Sequence, residues 1–185
     1  NSHFLLVRLI FIKCFFYSSK YLQVVDENAQ TKILNNLKAQ IKQVSIPSQA
    51  ILNLVYGKCL SEYFDKYGYN IRSRTNTTIL DDDFLTWSQN DFNTQINLAF
   101  EKTLENEAVS KNTPLLSYEA IFDFLTLEKL KKENIFDYMI RENISFYAKK
   151  ISPWSFQPKD FKEYKKTLLG DSNDFTEQKL DFAKD

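Results

Sequence analysis

Histidine occurs once in this 185-residue chain, at position 3, and glycine and proline occur only three and four times. A Ser-His-Asp triad or a multi-histidine metal site would have to recruit His3, a terminal residue that is rarely held in a fixed place. So few glycines speak against Gly-fingerprint nucleotide folds, turn-rich β-sandwiches and flexible linkers. Neither a phosphate-loop pattern nor a dinucleotide fingerprint occurs. An excess of charge of either sign is also missing, since Lys plus Arg total 24 and Asp plus Glu total 24. That balance removes the electrostatic case for a nucleic-acid-coating protein. The two cysteines, Cys14 and Cys59, sit among apolar residues without CxxC or Cys/His spacing, which predicts two buried thiols acting as small hydrophobes. A disulfide between them in an oxidising compartment stays open.

Long apolar runs are scarce too. The richest, Phe4 to Tyr17, is interrupted by Arg8 and Lys13 and is followed by Ser-Ser-Lys with no small-x-small cleavage site. It falls short of the ~20 apolar residues of a membrane span. It reads as a buried helix whose two cations reach outward, so no membrane-spanning segment is expected. Position 1 is Asn, which predicts an excised or processed piece of something longer.

What the chain does have is core material: 16 Phe and 10 Tyr within 43% hydrophobic residues, too much for a disordered chain. The apolar positions recur at helical steps. A first helix is predicted over 3–24, and a second from a cap at Asp26 to about Gln43, with Ala29, Ile33, Leu37 and Ile41 on one face. Pro47 predicts a break, Ser48 an N-cap, and Gln49 to Tyr67 a third helix ended by Gly68. Residues 69–83 lack a stripe and read as a loop. Ser88 and Asp91 approximate a capping box for a helix to about Asn106, striped by Phe92, Ile96, Ala99 and Phe100. A break follows at Pro114. Ser117 could cap a short helix carrying Ile121, Phe122 and Leu125, and Asn134 could cap a last helix to about Lys149. The prediction is an all-α domain over 1–158, with a polar, weakly packed tail over 159–185. Its helical hairpins would pack as a short α-solenoid of tetratricopeptide type or as an irregular bundle. No repeat of fixed period supports the solenoid.

Candidate chemistry is sparse. Asp81, Asp82 and Asp83 could serve a divalent cation, but adjacent carboxylates diverge, and a solvated cap before Phe84 fits them better. Tyr56, Tyr63, Phe64, Tyr67 and Tyr69 alternate with Lys58 and Lys66 and precede Arg72 and Arg74. Such a platform could take a partner, with Tyr63, Tyr67, Tyr69, Arg72 and Arg74 facing it. Yet helical spacing predicts core packing for most of these rings. Trp87 and Trp154 follow breaks and are expected to anchor connections. Asn76-Thr77-Thr78 and Asn143-Ile144-Ser145 match the glycosylation pattern, which matters only in a secreted eukaryotic protein. No catalytic constellation, metal or cofactor is expected, and the chain reads as a non-enzyme.

Four segments occur in an order and spacing that resemble the N-terminal helical region of Bacteroidetes-type alpha-2-macroglobulin family proteins. They are FFYSSKYLQVVDENAQTKILNNLKAQI (15–41), ILNLVYGKCLSEYFDKYGYNIRSRTNTT (51–78), DDDFLTWSQNDFNTQINLAF (81–100) and NIFDYMIRENISFYAKK (134–150). The matching motifs are Arg74-Thr75 and Asp83-Phe84-Leu85-Thr86-Trp87, and Trp87 following Asp83-Phe84 is the most specific piece. The resemblance implies a non-catalytic scaffolding module in a protease-inhibitor-like protein of the bacterial envelope, placed ahead of macroglobulin-type domains of the same chain. Neither Cys14 nor Cys59 stands in a Cys-x-Glu-Gln thioester motif, so no functional residue of that family carries over. The alternatives are a helical-repeat adaptor that takes a peptide or protein partner on the Tyr63–Tyr67–Tyr69 surface, and, less well supported, an enzyme using Asp81 to Asp83 with a metal ion.

Overall fold

The computed structural model describes residues 2–75, 83–122 and 124–150, with side chains from Leu9 onward except Phe11. Among them the chain is all-helical, and no strand occurs. The seven α-helices are α1 (Ser2–Val25), α2 (Ala29–Ile41), α3 (Ile46–Arg72), α4 (Gln89–Lys102), α5 (Glu107–Lys111), α6 (Leu127–Lys132) and α7 (Ile135–Lys150). Short 3-10 turns stand at Phe84–Thr86 and Leu115–Tyr118. Residues 1–144 form one compact unit, and residues from Ser145 on belong to a second, of which 145–150, the end of α7, are described. The expected tail over 159–185, Trp154 and the first sequon, Asn76, lie outside the described residues.

Helix α3 is the centre of the first unit. Its 27 residues extend about 40 Å, and α2, α4 and α5 all pack on it. It runs antiparallel to α2: Lys66 meets Gln30 at 3.3 Å, while the 42–45 connection joins the opposite ends. It is also antiparallel to α4, because Gly57 abuts Phe100 whereas Phe64, two turns on, meets Phe92. The core stripes follow the sequence pattern: Ile33, Leu34 and Leu37 from α2, Leu52, Leu60 and Ile71 from α3, and Phe92, Ile96 and Phe100 from α4 are all buried.

Several boundaries differ from expectation, each for a physical reason. Pro47 lies inside the first turn of α3, where its missing N–H has no intrahelical acceptor to lose. Ser48 is therefore no cap but a buried helical residue, its hydroxyl 3.2 Å from that of Tyr118. Gly68 does not end α3. The helix runs on to Arg72 because the completely buried Ile71 outweighs a glycine cost of about 1 kcal/mol. Asp26 bonds the Asn28 N–H at 2.8 Å and so organises the turn before α2, without capping the helix itself. Helix α4 stops at Lys102, where Thr103 is buried and returns its hydroxyl to the Phe100 carbonyl at 2.6 Å. Ser117 lies within a 3-10 turn and starts no α-helix, while the charged LEKLKK stretch forms α6.

The capping box on α4 is complete: the Asp91 N–H donates to Ser88 Oγ at 3.3 Å, and the Ser88 N–H donates to Asp91 Oδ2 at 2.9 Å. Asn134 Oδ1 accepts from the Asp137 N–H at 2.8 Å and caps α7 as expected.

Candidate functional site

The tyrosine and arginine residues singled out as partner-facing do not form one surface. Tyr63 is buried, its ring 4.6 Å from that of Tyr67, 5.2 Å from Phe84 and 5.9 Å from Phe92. Trp87 closes the cluster against Phe84 and Phe92 at 6.2 and 5.4 Å. Burial, its largest cause, pushes the Tyr63 phenol above the usual tyrosine value. Arg74 donates to the Trp87 carbonyl at 2.8 Å and fastens the turn beyond α3 to the segment before α4. Arg72 lies over the Phe64 ring at 5.6 Å. Of the three tyrosines only Tyr69 stands well out in solvent, 90% exposed. Tyr63 is core because its position on α3 sets it against Phe92 of α4, while Tyr67 is half-buried beside it.

Other candidates resolve the same way. Asp83 caps the 3-10 turn, its Oδ1 accepting from the Leu85 N–H at 3.0 Å. Asp81 and Asp82 lie outside the described residues, as does the side chain of His3. Among the described residues no three acidic, His or Cys side chains gather as a metal-ligating group. Asn143, the second sequon asparagine, is buried and donates to Thr103 Oγ1 at 2.9 Å and to the Met139 carbonyl at 2.8 Å. Its amide is committed to the α4–α7 junction and is no glycan acceptor. Cys59 is half-buried, and its thiol is pushed up to about 11 by desolvation and then by Glu62, which keeps it protonated and a poor nucleophile.

The feature that sequence reasoning missed is on α1. That helix was expected to be buried, with Cys14 inside. Among its described side chains only Leu9 and Ile12 are buried, and Cys14 is exposed. Ile10, Tyr17, Tyr21, Val24 and Val25 point to solvent at 53%, 50%, 72%, 82% and 80% exposure. Ile10, Cys14, Tyr17, Tyr21 and Val24 follow steps of four, three, four and three, which puts them on one line along the helix. The opposite line, Leu9 and Ile12, faces the core. Helix α1 thus has two apolar faces, and only one is covered in this unit. The signal was in the sequence: a helix with apolar residues on two sides has more greasy surface than one neighbour can cover. Beside the exposed line, Lys13, Phe16, Tyr17 and Lys20 border an open groove of about 220 Å³ floored by Ala120 and Ile121.

No helix among the described residues is long and apolar enough to cross a membrane. No family model matches the chain, and no curated protein or solved structure matches it either. The macroglobulin resemblance therefore rests on the four quoted segments alone.

Proposed function

We propose that this chain is a non-catalytic helical interaction module that docks a protein through the outward face of α1. The observation that carries the reading is the run of exposed Tyr, Val and Ile side chains on α1: among the described residues, five of the thirteen large apolar side chains that are exposed lie on this one helix, and no other element carries more than two. Contiguous exposed apolar surface of this kind marks interaction sites in folded proteins. Cys14 lies in the middle of the run and supplies a native reporter. Its alkylation is expected to be fast in the isolated chain and strongly slowed in native extract of the source cells. Equal rates in the two settings would sink the reading.

A place ahead of macroglobulin-type domains in a bacterial envelope protein, as scaffold for them or for an envelope partner, remains part of this proposal on the quoted segments only. The parent gene decides it: without macroglobulin-type domains downstream, that part falls and the interaction role is untouched.

A further inference from the structure

We infer that the break between α1 and α2 is a hinge latched by one side chain, Asp26. With the latch open, residues 2–41 join as a single helix and two copies of the chain exchange their α1 helices. The exchange does not depend on what docks on the outward face of α1. The break lacks the usual signals that stop one helix and start the next. No Gly or Pro stands anywhere before Pro47, and no described residue has a left-handed backbone. Helix α1 ends without a basic residue in its last turn. Helix α2 begins without an acidic residue in its first turn, and Asn28 at its N-cap makes no side-chain capping bond. Elsewhere the chain does mark its helix starts, with Pro47 on α3, the Ser88 box on α4 and the Thr126 cap on α6.

Helical hydrogen bonding reaches the break from both sides. The Asp26 N–H donates to the Leu22 carbonyl at 3.0 Å, and the Lys32 N–H to the Asn28 carbonyl at 3.2 Å. Between them two amides are diverted to Asp26: the Asn28 N–H to its Oδ1 at 2.8 Å and the Ala29 N–H to its carbonyl at 3.1 Å. Asp26 Oδ2 also pairs with Lys32. Asn28 has φ −95° and ψ 16°, so about 30° in φ and 60° in ψ separate it from a helical residue. Straightening would hand both amides helical acceptors, the carbonyls of Val24 and Val25. A rod from Ser2 to Ile41 is about 60 Å long. It would carry Leu9 and Ile12, the buried side chains of α1, away from their own unit and uncover the surface they occupied. A second copy opened in the same way offers that same surface, so reciprocal exchange covers both again. A lone opened chain would leave them in water, which ties opening to concentration.

The test is light scattering after size exclusion, on the intact chain over a range of concentrations. Asp26→Ala should lower the dimer dissociation constant about tenfold or more while the helical circular dichroism signal is kept. Lys32→Ala, which removes only the ion pair, should act in the same direction and more weakly. Adding Glu27→Gly and Asn28→Gly to Asp26→Ala should return the chain to monomer, because glycine disfavours a continuous helix. Tyr21→Asp on the outward face should leave the dimer intact. Spin labels on Cys14 and on an introduced Asn36→Cys, in a Cys59→Ser background diluted with unlabelled chain, read the hinge directly. Their backbone separation should be about 33 Å in the dimer and shorter in the monomer. If Asp26→Ala and Lys32→Ala both stay as monomeric as the parent chain, the inference is overturned. It is overturned as well by a dimer whose labels keep the monomer separation, or by one that Tyr21→Asp dissolves, since the copies would then meet through their outward faces.

Discussion

Two glycines on the same helix do opposite things. At Gly57 an added Cβ would sit 2.9 Å from Phe100 Cε2 and 3.3 Å from the Ala99 Cβ, closer than packed atoms tolerate. Phe100 is completely buried and has nowhere to go. Gly57→Ala should therefore destabilise the fold by about 1–3 kcal/mol through overpacking, despite alanine's better helix propensity. At Gly68 the same Cβ would meet only the Arg72 guanidinium at 3.6 Å, an ordinary contact with a movable side chain. Gly68→Ala should stabilise by about 0.5–1 kcal/mol. Urea midpoints of the two variants check both signs. Tyr138 gives a pH-dependent case. Burial, then Glu142, pushes its phenol up from 10.0 to about 12. The folded state thus holds the proton where the unfolded chain has released it. The stability from this group is intact below pH 10 and is lost as pH rises towards 12, by up to about 2 kcal/mol. Tyr138→Phe should flatten that part of the pH–stability curve relative to the parent chain.

At the level of the helices, the Ser88–Asp91 box predicts its own measurement. Ser88→Ala leaves the start of α4 without its side-chain acceptor and should cost about 1 kcal/mol, seen as a lower unfolding midpoint with an unchanged denaturant slope. Helix α1 offers a sharper contrast. Tyr21→Asp on the outward face should change stability by less than about 0.5 kcal/mol, whereas Ile12→Ala on the inward face should cost about 2–5 kcal/mol. This is also where the sequence could be read and where it could not. The stripes of α2, α3 and α4, the Ser88 box and the Asn134 cap followed from spacing and cap chemistry, because each is a local rule. The extension of α3 past Gly68 did not, because it depends on the distant packing of Ile71. The short helices α5 and α6 did not either, being too brief to show a period. Helical spacing read Tyr56, Tyr63 and Tyr67 of α3 as core; Tyr56 and Tyr63 are buried, Tyr63 in its cluster with Phe84 and Phe92, whereas Tyr67 is half-buried. For α1 the composition showed an apolar helix but not which side is covered, because the pattern of a doubly apolar helix is the same whether one or two neighbours pack on it.

For the whole molecule, stability should be graded around α3. Amides at the middle of α3, with α2, α4 and α5 packed around it, should exchange slowest, and those of α5 and α6 fastest. The segment between Pro114 and Asn134 has a further role. Its two ends are joined by an isolated bridge, in which the Leu115 N–H donates to the Glu133 carbonyl at 2.9 Å and the Ile135 N–H to the Thr113 carbonyl at 3.0 Å. Between them the chain leaves, inserts Leu115, Tyr118, Phe122 and Leu130 into the interior, and returns to the point of departure. It is a stopper on a neck that is already tied shut. Severing it at exposed Phe124 would shorten neither α4 nor α7, and the pieces would stay clasped by the same pair of backbone hydrogen bonds and by the stopper's own greasy shaft. The excursion is thus a natural seam for a break in the chain, where the polypeptide could be opened without loosening its central rod.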